Sequence, residues 1–303
     1  MRSPAVAEKT LRVAIAQSRA SQNPTGEEIR ANGCSIRHLM RQSRAQGARV
    51  MLFPEGALSG YPCKTLMSAH HPEATPQIGP ADWRKVDWPV LQDELEQVAR
   101  LAGELKLWTV LGSVHRLTPP NRPHNSLYVF SDTGALVDRY DKRLLSHTEL
   151  SWLYTPGTAP TVFDVDGFRF GCALCIEVNF AEVFLEYEKL GVDCVLLSAY
   201  ASDPMFGLLA QGHAAANSYW LGLSVPAGLG DTLPAGIAAP NGEWLARAPR
   251  DGTAAVVVVD LDTSAPSAEE AVTHRRPWRR RVRAGSHEHC RVDDLRSRDK
   301  TQL

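Results

Sequence analysis

The spacing of apolar residues along the chain predicts strands and amphipathic helices that alternate from Leu11 to Leu261. Apolar and polar residues alternate in Leu11 to Gln17, as in a half-buried strand, whereas Glu27 to Gln46 places its apolar residues on one helical face. The predicted strands are 11–17, 49–53, 108–114, 126–131, 136–140, 161–165, 168–172, 194–198, 221–225, 235–239, 244–247 and 253–261. The predicted helices are 27–46, 90–105, 179–190 and 206–219.

These elements follow the order β-α-β-α-β and then hairpins, and the same order with hairpins follows a second time. Asp166-Gly167 and Asn241-Gly242 are typical turn pairs of such hairpins. The order predicts an α/β fold in two similar halves, with mixed sheets inside and helices outside. We expect one domain over residues 1–270 and a basic C-terminal tail over residues 271–303, because the chain beyond Asp262 is polar and charged.

The composition excludes several classes of protein. The 303 residues include 33 basic and 34 acidic side chains, so a net charge of −1 creates no overall field toward nucleic acid or membrane. The hydrophobic fraction of 44% is that of an ordinary globular protein. No apolar run has the length of a membrane span, and residues 1–10 lack a signal-peptide core, so we expect a cytoplasmic protein. Six scattered cysteines do not indicate a disulfide scaffold.

Three polar residues fall where predicted strands end. Glu55 follows the strand 49–53, Lys142 follows the strand 136–140, and Cys175 lies on the turn after the strand 168–172. Active-site groups of layered α/β folds gather at strand ends. Each residue also has a structural interpretation, as a loop charge, a surface lysine and a small buried core residue respectively.

A thiol nucleophile needs a base and a positive group. The helix start predicted beside Cys175 would favour its thiolate. Most cysteine hydrolases use histidine as the base, but only His115 and His147 lie near strand-end turns here. A glutamate, a lysine and the cysteine meet the same needs: Glu55 would take the proton, and Lys142 would lower the thiol pKa and stabilise an oxyanion.

The segments around these three residues resemble the signature blocks of the nitrilase superfamily, the carbon–nitrogen hydrolases. They are Leu52 to Pro62, Arg139 to Leu145 and Phe170 to Glu177, in the order and spacing of that family. The resemblance covers roughly Leu11 to Leu261. Further similar segments are His124 to Ser126, Tyr154 to Gly157, Gly191 to Asp193, Ala214 to Asn217 and Ala235 to Gly242.

The resemblance implies a four-layer αββα sandwich that pairs into dimers. It also implies Glu55 as general base, Lys142 as oxyanion stabiliser and Cys175 as nucleophile, with the backbone N–H of Ile176 completing the oxyanion hole. Glu149, seven residues after Lys142, matches by position a second glutamate that holds the lysine or the substrate, and its alternative interpretation is a loop charge. This chemistry requires no metal and no organic cofactor.

The implied activity is hydrolysis of non-peptide carbon–nitrogen bonds, and we expect an amide as substrate. After Cys175 the chain reads Ile176 to Asn179, unlike the C-W-E-N of true nitrilases or the C-Y-D and arginine of many amidases. Because that arginine is missing, we expect a neutral or aromatic acyl group rather than a charged one. We expect Tyr61, Asn125 and Tyr200 to contact the substrate.

The long segment Gly56 to Pro89 follows the candidate base and is predicted to line the pocket, because long loops in compact domains are usually functional. Met205 is expected to face it from beyond the strand 194–198. The large side chains of this segment are Tyr61, Met67, His70, His71, Trp83 and Trp88.

Several alternatives stay open. Cys172 and Cys175 could form a redox or metal pair, and residues 287–290, His-Glu-His-Cys, could bind a metal. The basic run 274–283 could contact nucleic acid or an acidic partner, although a solvated tail or one that packs across a dimer is the alternative. The activity could instead be nitrile hydrolysis, N-carbamoyl hydrolysis or acyl transfer, and the fold could serve as a non-catalytic binding module.

Overall fold

The computed structural model describes residues 9–21, 25–61 and 81–301, and β-sheets form the centre of this part. The strands are β1 (Thr10–Ser18), β2 (Val50–Leu52), β3 (Trp108–His115), β4 (His124–Phe130), β5 (Leu136–Asp141), β6 (Val162–Val165), β7 (Phe168–Leu174), β8 (Cys194–Ser198), β9 (Trp220–Pro226), β10 (Gly236–Ala238), β11 (Trp244–Arg247) and β12 (Ala255–Asp262). The helices are α1 (Gly26–Ala45), α2 (Trp88–Leu105), α3 (Ala181–Lys189), α4 (Met205–Asn217), α5 (Pro266–Glu270), α6 (Arg276–Arg283) and α7 (Leu295–Arg298).

The strands form two six-stranded halves that meet at one short joint. The first half has the order β5-β4-β3-β2-β1-β12, with β1 parallel to β2 and antiparallel to β12. The second has the order β6-β7-β8-β9-β10-β11, with β7, β8 and β9 parallel. The joint is a parallel contact in which Gln17 and Ser18 of β1 lie opposite Val225 and Pro226 of β9. Mixed pairing in two similar halves agrees with the predicted α/β fold.

The two halves pack face to face, with helices on both outer faces. Buried residues of the two sheets belong to one hydrophobic cluster, and Ile15 of β1 packs directly over Gly222 of β9. A second cluster lies between the first sheet and helices α1 and α2, while α3 and α4 contribute to the cluster of the second sheet. The layers are therefore helix, sheet, sheet and helix, which confirms the expected αββα sandwich.

Local sequence signals explain several element boundaries. The Thr25 hydroxyl accepts a hydrogen bond from the N–H of Glu28 at 3.3 Å and caps α1. The turn between β6 and β7 uses Asp166 and Gly167, both at positive φ (47° and 85°), as a tight hairpin turn requires.

The helix predicted from residue 179 begins later than expected. A short 3₁₀ helix over Cys175–Asn179 follows β7, and α3 begins only at Ala181. Phe180 is extended, with φ −109°, and separates the two helices. The predicted helix therefore begins two residues later than expected, and the dipole of α3 does not reach the Cys175 thiol, since this effect fades within the first turn.

The chain beyond the last strand was expected to be a polar tail, but its first part packs onto the second sheet's helices. Arg276 of α6 is buried and pairs with Asp193 at 2.6 Å, while Arg279 and Arg283 both approach the buried carboxylate of Glu188. We call these five residues the arginine cluster. Hydrogen-bond acceptors of the main fold thus bind the arginines of α6 against the protein. The domain limit at residue 270 stays a prediction.

None of the helices in the described part of the chain combines the length and apolar character that a membrane crossing needs.

Candidate active site

Cys175 occupies the turn that leaves the carboxyl end of β7. Its φ is +49°, a left-handed conformation that costs a residue other than glycine on the order of 1–3 kcal/mol and persists only where the surroundings enforce it. The residue is half-buried and its neighbour Ile176 is half-buried too. A strained turn at a strand end is therefore where the structure places the expected nucleophile and its adjacent backbone N–H.

Glu55 and Lys142 also lie at strand ends, and both are almost completely buried. Glu55 is on the turn after β2, where the backbone of Pro54 packs so closely on Gly112 that a β-carbon there would lie 2.0 Å from the Pro54 carbonyl oxygen. Lys142 follows β5, and its backbone N–H donates to the Asn125 carbonyl at 2.8 Å. Strand geometry and one close backbone contact therefore fix both positions.

The Lys142 ammonium lies against two carboxylates, those of Glu55 and Glu149. The Lys142 Nζ lies 3.1 Å from Glu55 Oε1 and 2.8 Å from each carboxylate oxygen of Glu149. We call Glu55, Lys142 and Glu149 the lysine cluster. The alternative interpretation of Glu149 as a loop charge is wrong, because its side chain is buried on the lysine.

Further donors hold the Glu55 carboxylate in place. Asn125 donates from Nδ2 to Glu55 Oε1 at 2.7 Å and to Glu149 Oε1 at 3.2 Å. The backbone N–H of Tyr200 donates to Glu55 Oε2 at 2.7 Å. Asn125 and Tyr200, which we expected to touch substrate, therefore orient the carboxylates of the lysine cluster.

The electrostatics of the site keep the thiol protonated at rest. Burial and the charge of Glu55 raise the pKa of Cys175 well above its ordinary value, and Lys142 opposes this only in part. Burial disfavours the ammonium of Lys142, but the charges of Glu55 and Glu149 and the hydrogen bonds to Glu149 raise its pKa. The expectation of a lowered thiol pKa is therefore wrong, because burial and two carboxylates together outweigh one ammonium.

The Glu149 carboxyl has the opposite shift. Burial would raise its pKa, but the charge and hydrogen bonds of Lys142 and the N–H of Ser146 outweigh burial and lower it. Glu149 therefore holds the ammonium as an anion.

Two tyrosine rings lie beside the cluster. Tyr61 and Tyr200 stack with ring centroids 4.7 Å apart, and the Tyr61 hydroxyl donates to Glu149 Oε1 at 3.2 Å. Burial raises the pKa of Tyr61, with Glu149 and Glu55 adding to the rise, so the phenol stays a donor. Of the aromatic residues that were predicted to line the pocket, the structure brings Tyr61 and Tyr200 to the lysine cluster.

Other predicted wall residues lie elsewhere. Trp83 and Trp88 line a cavity of about 440 Å³ that contains none of the cluster residues, so the structure does not bring these two side chains to the lysine cluster. Trp83 packs on Tyr154, at 5.4 Å between ring centroids, because its indole N–H finds the Leu153 carbonyl there. Met205 begins α4 with an exposed side chain. Met67, His70 and His71 lie outside the described residues.

The competing patterns do not form sites in the described part of the chain. Cys172 is a free thiol buried inside β7, and burial raises its pKa. Within residues 9–21, 25–61 and 81–301, no group of three or more histidine, cysteine or acidic side chains is placed to hold a metal ion, and this includes the segment 287–290.

The sequence patterns indicated no role for Glu177, but the structure places its carboxylate between the turns that carry Lys142 and Cys175. Its side chain is fully buried and contacts the turns of both Lys142 and Cys175. The available signal was an acidic residue enclosed by Ile176 and Val178 directly after a buried strand, where a charge needs partners.

Comparisons with known proteins agree with this arrangement. The family model described as carbon–nitrogen hydrolase matches residues 12–268. The omega-amidase NIT2 of Bos taurus is 24% identical over 84% of this chain and 89% of its own. A Mycobacterium tuberculosis protein named as a hydrolase is 24% identical over 88% of this chain and 95% of its own. An amidase of the nitrilase superfamily from Nesterenkonia AN1 has the same fold, with a TM-score of 0.70 at 18% identity over 90% of this chain and 97% of its own.

Proposed function

The chain belongs to the carbon–nitrogen hydrolase family, and from this premise we propose that it is an amidase with Cys175 as its nucleophile. One observation carries the proposal: the buried lysine cluster, whose charges act on a thiol that a strained turn presents. A surface role explains neither the burial of three charged groups nor a left-handed cysteine.

Acylation begins with the neutral thiol. Glu55 takes the proton of Cys175 as the sulfur attacks the amide carbonyl carbon, so a free thiolate need not accumulate beside two carboxylates. The carbonyl oxygen becomes an oxyanion, which the Lys142 ammonium and the Ile176 N–H stabilise. The carbon–nitrogen bond then breaks, the leaving nitrogen takes the proton from Glu55, and a thioester remains on Cys175.

Deacylation uses the same groups in reverse order. Glu55 accepts a proton from water as the water oxygen attacks the thioester carbonyl. The second oxyanion collapses, the carboxylic acid leaves, and the sulfur regains a proton from Glu55. Throughout both steps Glu149 keeps Lys142 charged and fixed, since it contacts the ammonium with both oxygens at 2.8 Å.

The test is ammonia release from a panel of primary amides, nitriles and N-carbamoyl compounds that carry the same set of substituents. We expect ammonia and carboxylic acid in equal amounts from one or more amides, with no turnover by Cys175→Ala. Ammonia from nitriles alone, or from N-carbamoyl compounds alone, would replace the amidase proposal by that activity. No release from any class would remove the hydrolase proposal for these substrates.

A further inference from the structure

Lys142 and Cys175 stand on different sheets, so their separation depends on contacts that cross from one sheet to the other. Lys142 follows β5 at the edge of the first sheet, and Cys175 follows β7 in the second. Hydrogen bonds within each sheet fix each turn only relative to its own strands. A directional contact across the sheets must set how close the ammonium comes to the thiol.

The Glu177 carboxylate makes such a contact with the lysine turn. Its Oε1 accepts from the backbone N–H groups of Arg143 at 2.8 Å and Leu144 at 3.0 Å, the two residues that follow Lys142. The Tyr140 hydroxyl, two residues before Lys142, lies 2.8 Å from both carboxylate oxygens. The carboxylate therefore holds the chain on both sides of the lysine.

The same carboxylate holds the cysteine turn. Glu177 Oε2 accepts from the backbone N–H of Leu174 at 2.7 Å, the residue directly before Cys175. The Glu177 carbonyl accepts from the N–H of Phe180 at 2.9 Å, which closes the 3₁₀ helix on the other side. A left-handed Cys175 persists only where its surroundings enforce it, so the hydrogen bond from Leu174 to Glu177 also helps to maintain the strained turn.

A carboxylate satisfies the arrangement with both of its oxygens. All of the hydrogen-bond partners of the Glu177 side chain donate, so neither acceptor atom can carry hydrogens. A glutamine would turn its NH₂ group toward an N–H donor, and an aspartate, one methylene shorter, would have to reach both turns from further away.

We propose that Glu177 is a positioning residue that sets the separation of the Lys142 ammonium and the Cys175 thiol, and this rests on the amidase proposal. Removing the charge of Glu177 would displace the Lys142 ammonium from the thiol and the oxyanion but would leave the residues that line the substrate pocket in place. A role in stability alone predicts a lower melting temperature with normal turnover in the folded enzyme.

The experiment compares Glu177→Gln with Glu94→Gln in the full chain. Glu94 is a matched control because it is also a buried carboxylate, but it pairs with Arg37 between α1 and α2. Each variant is assayed below its melting temperature for kcat, for KM and for the rate at which iodoacetamide alkylates Cys175, identified by peptide mass. Circular dichroism confirms folding.

We expect Glu177→Gln to lose on the order of a hundredfold in kcat, the scale of a displacement of about 1 Å, with KM changed by less than about threefold. Alkylation of Cys175 should slow as well, because the displaced ammonium would stabilise the reacting thiolate less. Glu94→Gln should melt at a lower temperature with unchanged kcat and alkylation. Normal kcat and alkylation in folded Glu177→Gln would overturn the proposal.

Tyr140→Phe and Glu177→Asp keep the proposal testable if Glu177→Gln does not fold. Tyr140→Phe removes one donor and should lower both rates by several-fold, and Glu177→Asp should lower them further. Unchanged rates in both variants would overturn the proposal. Alkylation displaces iodide and does not require hydrolysis of an amide bond, so a wild-type enzyme without amidase activity would refute the proposed function, while the alkylation rates would still decide the role of Glu177.

Discussion

The lysine cluster and the arginine cluster each contain a deeply buried carboxylate but balance their charges differently. In the arginine cluster, three arginines face Glu188 and Asp193, and Arg276 and Arg279 also donate to backbone carbonyls at the end of α4. Cations at a helix C-terminus are favourable because they meet the unpaired carbonyls and the negative end of the dipole. The contacts of the arginine cluster therefore all favour the folded state.

The lysine cluster has the opposite balance. One ammonium faces Glu55 and Glu149, so the group carries excess negative charge in a buried place, beside a thiol whose pKa that charge raises. Excess buried charge destabilises a fold. The difference indicates that the lysine cluster is retained for chemistry and the arginine cluster for attachment of α6.

The largest expected effect is the loss of the thiol itself. Cys175→Ala should abolish turnover without lowering the melting temperature, since a methyl group cannot form a thioester and the change removes no charge pair. Cys172→Ala is the matched control, three residues earlier in β7, and should keep most of the activity. Equal loss in both folded variants would restore the redox-pair interpretation.

The next effect compares one cation from each cluster. Lys142→Met keeps the length of the side chain without its charge and should lower kcat by at least about a hundredfold, the scale for losing one oxyanion donor. Arg283→Met should leave kcat unchanged and lower the melting temperature, because it leaves Glu188 with a weaker partner. If both variants changed only stability, the contrast between the clusters would be refuted.

The excess negative charge also predicts substrate preference. Two amides of similar size, one with a phenyl group and one with a free carboxylate, should differ in kcat/KM by at least about tenfold in favour of phenyl. A substrate carboxylate about 8 Å from the excess negative charge of the lysine cluster would be repelled by about 2 kcal/mol at an effective dielectric constant of about 20. Preference for the carboxylate amide would contradict this prediction.

The smallest effect is the pH dependence of stability. The pKa of Glu149 is lower in the folded protein than its ordinary value of 4.5, since Lys142 outweighs burial. Its contribution to stability is therefore present above the unfolded pKa and lost as pH falls through the folded pKa. Urea unfolding of Glu149→Gln from pH 6 to pH 3 should show a shallower decline than the wild type, and parallel declines would contradict the assigned shift.

Sequence patterns predicted the parts of the molecule that depend on local order. Alternation and helical spacing gave nearly all strands and helices, and the strand-end positions of Glu55, Lys142 and Cys175 placed them correctly at one site. Strands that run in the same direction carry their carboxyl ends to one edge of a sheet, so topology explains why Glu55 and Lys142 meet in the first sheet, whereas Cys175 reaches them from the second sheet.

Contacts between distant segments could not be predicted in the same way. The N–H of Tyr200 reaches Glu55 across 145 positions of sequence, and Glu177 joins two sheets. The burial of Arg276 depends on acceptors that only the folded α3 and α4 present. The thiol pKa was expected with the wrong sign because the balance between burial, two carboxylates and one ammonium requires distances.

The proposed mechanism depends most directly on the acylation of Cys175 during turnover. An activated ester of the preferred acid should acylate the enzyme faster than water removes the acyl group, so that acid quenching traps the thioester. Peptide mass spectrometry should then find the acyl mass on the peptide that contains Cys175, and not in the Cys175→Ala variant. Turnover with the acyl group on another residue, or with no acyl adduct under conditions of slow deacylation, would contradict the account.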